Sequence, residues 1–236
     1  MKNSFSDYIS SKVHDTIRSD NGKKGTLPFI TISREYGCGG DSISKKLCDA
    51  LSSAASPDGD TYQWKRINHE VIAEAAAEIG VPAEIVKEMT YHKIDDFFIT
   101  SFFNFSFSKY TKPSATTVRN AIARVISNFA QEGRVIILGR GGASLTHNYE
   151  NSLHIRLNAP REWRIQQVSG RENISLEKAR VLTQKIDGER DSLRNYFEGP
   201  ETGKTVFDAV FNTMTLSDDD ILEALLSISR RKGFIS

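Results

Sequence analysis

The sequence predicts an α/β fold built on a mainly parallel, doubly wound central sheet. Three observations predict it: short apolar, β-rich runs alternate with segments of helical periodicity, two of those runs end in glycine-rich turns, and no internal repeat is apparent. A chain of 236 residues suits one sizeable core with an inserted lobe or lid. We divide it into an N-terminal helix and polar linker, residues 1–24, and a single domain, residues 25–236.

Phe5, Tyr8, Ile9, Val13 and Ile17 recur at helical spacing ahead of a polar stretch at 19–24. Such a stripe serves packing on the body before docking of a partner. Pro28-Phe29-Ile30-Thr31-Ile32 reads as a strand running into Gly37, Gly39 and Gly40, and Ile43, Leu47 and Leu51 mark a helix over 41–51. After a Ser/Pro/Asp/Gly-rich turn at 52–60, a strand at 63–67 leads to a helix at 70–79 that Gly80 terminates. Residues 97–110 crowd Phe97, Phe98, Phe102, Phe103, Phe105, Phe107 and Tyr110 among polar residues. Without basic companions this pattern reads as core or subunit interface ahead of a base-stacking surface.

Ser114 caps a helix with the apolar face Val118, Ile122, Val125, Ile126 and Phe129, which Gly133 stops. The strand Val135-Ile136-Ile137-Leu138 then runs straight into Gly139-Arg140-Gly141-Gly142, at the strand end where ligands sit in open α/β sheets. A strand at 153–157 is followed by helices at 160–167 and 176–186 around a polar bend, 169–175, that reads as a mobile lid. The last strand falls at 206–210, and Ser217 caps a helix that opens on Asp218, Asp219 and Asp220 and closes on Arg230, Arg231 and Lys232, the order the helix macrodipole favours.

Basic and acidic side chains nearly cancel, leaving a net charge of +1, so no overall basic field is available to hold nucleic acid or an anionic membrane. A small-molecule partner is expected. Cys38 and Cys48 make no disulfide framework and suit a reducing compartment. The polar N-terminus lacks a signal-peptide core and no stretch has the apolar length of a membrane span, so the expected location is the cytoplasm. His69, His92, His147 and His154 have no metal-ligand spacing with the cysteines.

Main-chain N–H groups can approach a phosphate where side chains are missing and a helix N-terminus follows. Gly37, Gly39 and Gly40 before the helix at Asp41 meet that demand, and Ser42 stands where a phosphate loop's hydroxyl holds Mg²⁺. The pattern G-x-x-x-x-G-K-[ST] is nevertheless broken: its head glycine is absent, and Gly40 occupies the lysine's place. The loop by itself fits a structural strand-to-helix turn as well as a phosphate cradle. Arg34 could supply missing positive charge, with a fork of donors but not a lysine's geometry. Glu35 either positions metal-bound water or pairs with Arg34, and Cys38 either serves as a small loop residue or gains reactivity from the helix N-terminus.

Together, Ile30-Thr31-Ile32-Ser33-Arg34-Glu35-Tyr36-Gly37-Cys38-Gly39-Gly40 and Val135-Ile136-Ile137-Leu138-Gly139-Arg140-Gly141 resemble the cytidylate kinase-like family. The resemblance implies a P-loop kinase fold of three α/β/α layers, with a helical acceptor lobe at about 61–132 and a lid at about 165–195. It implies γ-phosphoryl transfer from ATP, with Mg²⁺, to CMP or dCMP. On this resemblance Ser33, Gly37, Cys38, Gly39, Gly40, Asp41 and Ser42 hold the ATP phosphates, with Ser42 also on Mg²⁺; Val118-Arg119, Arg140 and Asp191 hold the acceptor. Arg190 and Arg194 close over the transferring group, and Arg34 adds its charge. The family's aspartate after Arg140 is Gly141 here, and one of its lid arginines is replaced by Asp187.

Taken without the resemblance, Asp187, Arg190, Asp191 and Arg194 equally suit a solvated salt-bridge face, and Arg164 a structural role. Two alternatives accompany the kinase reading: a regulatory nucleotide-binding protein without turnover, and a kinase for a different small acceptor. A homodimer would use the aromatic segment or the N-terminal helix.

Overall fold

Apolar side chains point to both faces of two neighbouring strands, so this sheet has to be covered on both sides. The computed structural model describes residues 27–91, 113–198 and 206–236. The predicted N-terminal helix and the aromatic segment at 97–110 lie outside them.

Strands β1 (Phe29–Arg34), β2 (Lys65–Ile67), β3 (Val135–Leu138), β4 (Ser152–Asn158) and β5 (Ala209–Asn212) form one parallel sheet in the order β2-β3-β1-β4-β5. Phe29, Val135 and Ile137 point to one face. There they pack under α2 (Glu70–Glu78), α3 (Ala83–Tyr91), α4 (Ala115–Glu132) and the C-terminal part of α7 (Leu176–Glu198). Ile30, Ile32, Ile136, Leu138, Leu153, Ile155 and Leu157 point to the other, against α1 (Gly40–Ser53) and α8 (Asp218–Arg231). The short α5 (Gly142–Thr146) follows the second glycine turn, and α6 (Arg161–Glu172) packs along α7.

The predicted stops and caps hold. Ser114 Oγ accepts the Thr117 amide at the start of α4, and Gly133 closes that helix. Ser217 and Asp220 form a reciprocal capping box on α8. Three expectations need correction. The bend between α6 and α7 is three residues, 173–175, not 169–175, and α7 runs unbroken past the expected end at 186 to Glu198, carrying Asp187, Arg190, Asp191 and Arg194 on one long helix. The last strand is β5 at Ala209–Asn212, shifted from 206–210, because an edge strand with alternating half-exposed residues has little apolar pattern to fix its start. Helix α3, after Pro82, was not predicted at all. No helix among the described residues is long and apolar enough to cross a membrane.

Candidate functional site

Parallel strands leave their C-terminal ends along one edge, and β1 and β3 lie side by side there. Arg34 ends β1, and Gly139-Arg140-Gly141 follows β3. These three residues take consecutive left-handed conformations, φ 79°, 59° and 76°. For arginine that conformation costs about 1–2 kcal/mol, and such strain concentrates at functional sites. It turns Arg140 toward the loop after β2, where its Nε donates to the Asn68 carbonyl at 3.5 Å.

Arg190, on α7, crosses to the same edge and donates from Nη1 to the Arg34 carbonyl at 3.2 Å. Three guanidinium groups thus share one crevice. Burial, followed by the charges of Arg190 and Arg140, holds the Arg34 pKa well below its ordinary value. Burial and then Arg190 lower Arg140 to about 10, and burial lowers Arg190. Like charges gathered in a half-buried place oppose one another, and an anion between them relieves the repulsion.

The crevice opens into a cleft of about 1040 Å³ between the sheet edge, α2 and α3 on one side, and α6 and α7 on the other. Of the residues singled out in the sequence, Ser33, Arg34, Arg140, Arg190, Asp191 and Arg194 line it. Gly37 through Ser42 and Arg119 do not. Sequence reasoning missed Asn68 and His69, which the strand-end rule could have flagged beyond β2, and Lys87, which sits on the unpredicted α3. Asp191 pairs with Arg194 at 3.0 Å, the surface ion pair that helical spacing suggested.

The glycine loop is locked by side chains from far along the chain. Arg164 is buried on α6 and donates to the carbonyls of Ala159 (3.0 Å) and Tyr36 (2.9 Å). It also pairs with Asp187 (2.5 Å) and Glu35 (3.3 Å), so its role is structural. Glu35 pairs with Arg164 and Arg156 (3.8 Å), which answers the earlier alternative of a bond to Arg34. Asp187 accepts the Tyr36 amide at 2.7 Å, so the residue standing for a lid arginine ties α7 to the loop. The guanidinium carbons of Arg171 and Arg190 lie 5.2 and 5.5 Å from the centre of the Tyr36 ring.

Burial raises the Cys38 thiol, overriding any lowering by the helix N-terminus and leaving it a packed loop residue. Asp41 pairs with Arg66 at 3.2 Å. Ser42 Oγ donates to Asp218 Oδ2 at 2.6 Å, so hydroxyl and carboxylate oxygens stand together at the start of α1. At Gly141, where the family resemblance implies an aspartate, a Cβ would lie 2.6 Å from Phe197 Cδ2 of α7.

The model of the cytidylate kinase-like family matches residues 29–215. The chain belongs to that family. Its five-stranded parallel sheet, helix-covered on both faces, is the α/β fold of P-loop kinases. Among solved structures, an uncharacterized protein from Eubacterium ventriosum ATCC 27560 aligns with TM-score 0.54 and 17% identity over 85% of this chain and 99% of that one. A gluconokinase from Sinorhizobium meliloti 1021 aligns with TM-score 0.48 and 13% identity, over 89% and 95% of the two chains. A shikimate kinase from Bacteroides thetaiotaomicron aligns with TM-score 0.45 and 10% identity, over 86% and 98%. The first of these likenesses is one of fold alone. No curated protein matches this cytidylate kinase-like chain in sequence.

Proposed function

We propose that this chain is an ATP-dependent phosphotransferase of the nucleoside monophosphate kinase type, with CMP or dCMP as acceptor. The observation that carries the reading is the convergence of Arg34, Arg140 and Arg190 at the C-terminal edge of β1 and β3. Family membership supports the reaction class. Phosphoryl transfer needs two substrates held in line and cations on the charge that spreads over the transferring group. In this reading the first amides of α1, left without helical partners, face the donor phosphates. Arg140 grips the acceptor phosphate, Asp191 its sugar, and Arg190 and Arg194 on α7 cover the transferring group and exclude water.

Mg²⁺ takes hard oxygen donors and is carried largely by the nucleotide's own phosphates, and the oxygens of Ser42 and Asp218 fit that preference. Bound there, the ion would neutralise charge on the donor phosphates. Among the described residues no group of three or more His, Cys, Asp or Glu side chains could hold a metal without them.

The test is ADP release from ATP and Mg²⁺ with a panel of nucleoside monophosphates and small alcohols. Turnover with CMP or dCMP is expected, turnover with another acceptor alone corrects the substrate, and none with any acceptor sinks the proposal. One observation favours a regulatory nucleotide-binding protein instead: the Ser42 hydroxyl is engaged with Asp218 while Gly40 leaves the loop without its lysine. Tight ATP binding by calorimetry with no product formed would select that second reading.

A further inference from the structure

In the motif G-x-x-x-x-G-K the head glycine and the lysine stand six positions apart. Arg34 and Gly40 stand at the same separation, with the two residue types exchanged: the cation is at the head and the glycine at the lysine's place. The side chains show why the exchange is physically coupled. The Arg34 stem runs over the first residue of α1, where a Cβ on Gly40 would come within 3.0 Å of Arg34 Cγ and 3.4 Å of its Cβ and Cδ. Its head then passes to the turn after β3, where a Cβ on Gly139 would collide with Arg34 Nη1. A lysine at position 40 and an arginine at position 34 would compete for one corridor. A side chain at 139 would close its far end.

We propose that Arg34 is the phosphate-loop cation of this protein, delivered from the end of β1 through a corridor that Gly40 and Gly139 keep open. This rests on the reading of the cleft as a phosphotransfer site, but makes a separate claim about which residue meets the donor phosphates. The Arg190 bond to the Arg34 carbonyl and the glycine walls fix the arginine's path. A planar fork with five donors so placed can bridge two phosphate oxygens, where a lysine offers a point charge. The carboxylate facing this guanidinium is that of Asp41, which Arg66 already engages.

The experiment measures affinity for inorganic tripolyphosphate and for Mg·ATP by calorimetry, on the full chain and on Arg34→Gln, Arg34→Gly, Gly40→Lys and the exchange variant Arg34→Gly/Gly40→Lys. Arg34→Gln keeps the stem over Gly40 and removes the charge, so triphosphate affinity falls by about tenfold or more, the weight of one charged hydrogen-bond set. Gly40→Lys alone weakens binding, because two stems contend for one path. The exchange variant binds at least about tenfold more tightly than Arg34→Gly, having moved the cation back.

Triphosphate affinity within twofold of wild type in Arg34→Gln overturns the proposal, as does an exchange variant that folds and binds no better than Arg34→Gly. If the exchange variant does not fold, Arg34→Gln decides alone. Wild type that binds no triphosphate overturns this claim and the kinase reading together. Arg34-dependent triphosphate binding without turnover of any acceptor removes the kinase reading and leaves this one standing. Turnover that Arg34→Gln leaves intact does the reverse.

Discussion

Acid should loosen the sheet beneath the site through one histidine, and the size of the effect can be worked out. His154 on β4 is buried, its Nδ1 is 2.7 Å from Thr31 Oγ1 on β1, and its ring packs against Phe29. Burial is the largest influence, and with smaller repulsion from His147 and Lys232 it outweighs the attraction of Asp208, lowering the pKa from 6.5 to about 4. The unfolded chain therefore takes a proton as pH falls through 6.5, while the folded chain resists until about 4. Stability from this group is complete above 6.5, declines across that window, and is lost below about 4.

At about 1.4 kcal/mol per pH unit, the full window is worth about 3 kcal/mol, of which about 2 is spent by pH 5. The assay is urea unfolding of wild type and His154→Gln at pH 7.5, 6 and 5. The variant is less stable at pH 7.5, but its loss on acidification should be about 2 kcal/mol smaller than the wild type's. Carboxylates that destabilise on protonation act equally in both proteins and cancel in the difference. Parallel pH profiles would show that His154 does not stay neutral in the fold.

Arg140→Gly should leave Tm nearly unchanged, because relief of left-handed strain of about 1–2 kcal/mol offsets glycine's entropic cost of about 1. Acceptor affinity, read by titration with CMP, should fall about tenfold or more. Arg164→Met leaves Asp187 and Glu35 without their buried partner and should cost about 3 kcal/mol in urea unfolding. Adding Asp187→Asn should recover part of that, with a coupling of roughly 1–3 kcal/mol, and strict additivity would break the proposed interlock. Gly141→Asp restores the family's residue but drives a side chain into Phe197 at φ 76°, so a destabilisation of about 2 kcal/mol or more is expected. A fully stable Gly141→Asp protein would show that Phe197 moves aside freely.

The glycine loop, the arginine after β3 and the alternation of strands with helices were legible because each is a local signal. β3 is an uninterrupted apolar run and β1 is buried from Phe29 to Ile32 with only Thr31 polar among them, as suits strands buried on both faces, and glycine-rich turns follow both. Caps such as Ser114 and Ser217 announce helices through their own side-chain chemistry. Where those signals weaken, so did the reading: β5 is an edge strand with half its residues facing solvent, and α3 is a short helix without a side-chain cap signal.

By itself, the sequence marked glycine turns and arginines at the ends of β1 and β3, and a glycine where the phosphate-loop pattern has its lysine, at position 40. Tertiary structure alone decided which groups each arginine meets. Arg34 looked like a neighbour for Glu35, yet Glu35 reaches Arg164 on α6 and Arg34 is left to run over Gly40 toward Gly139. Asp187 looked like a lost lid arginine, yet it holds the Tyr36 amide from 151 positions away. These partnerships depend on how α6 and α7 settle against the loop. That placement follows from burying Ile165, Val168, Leu193 and Phe197, and no periodicity along the chain records which polar atoms it brings together.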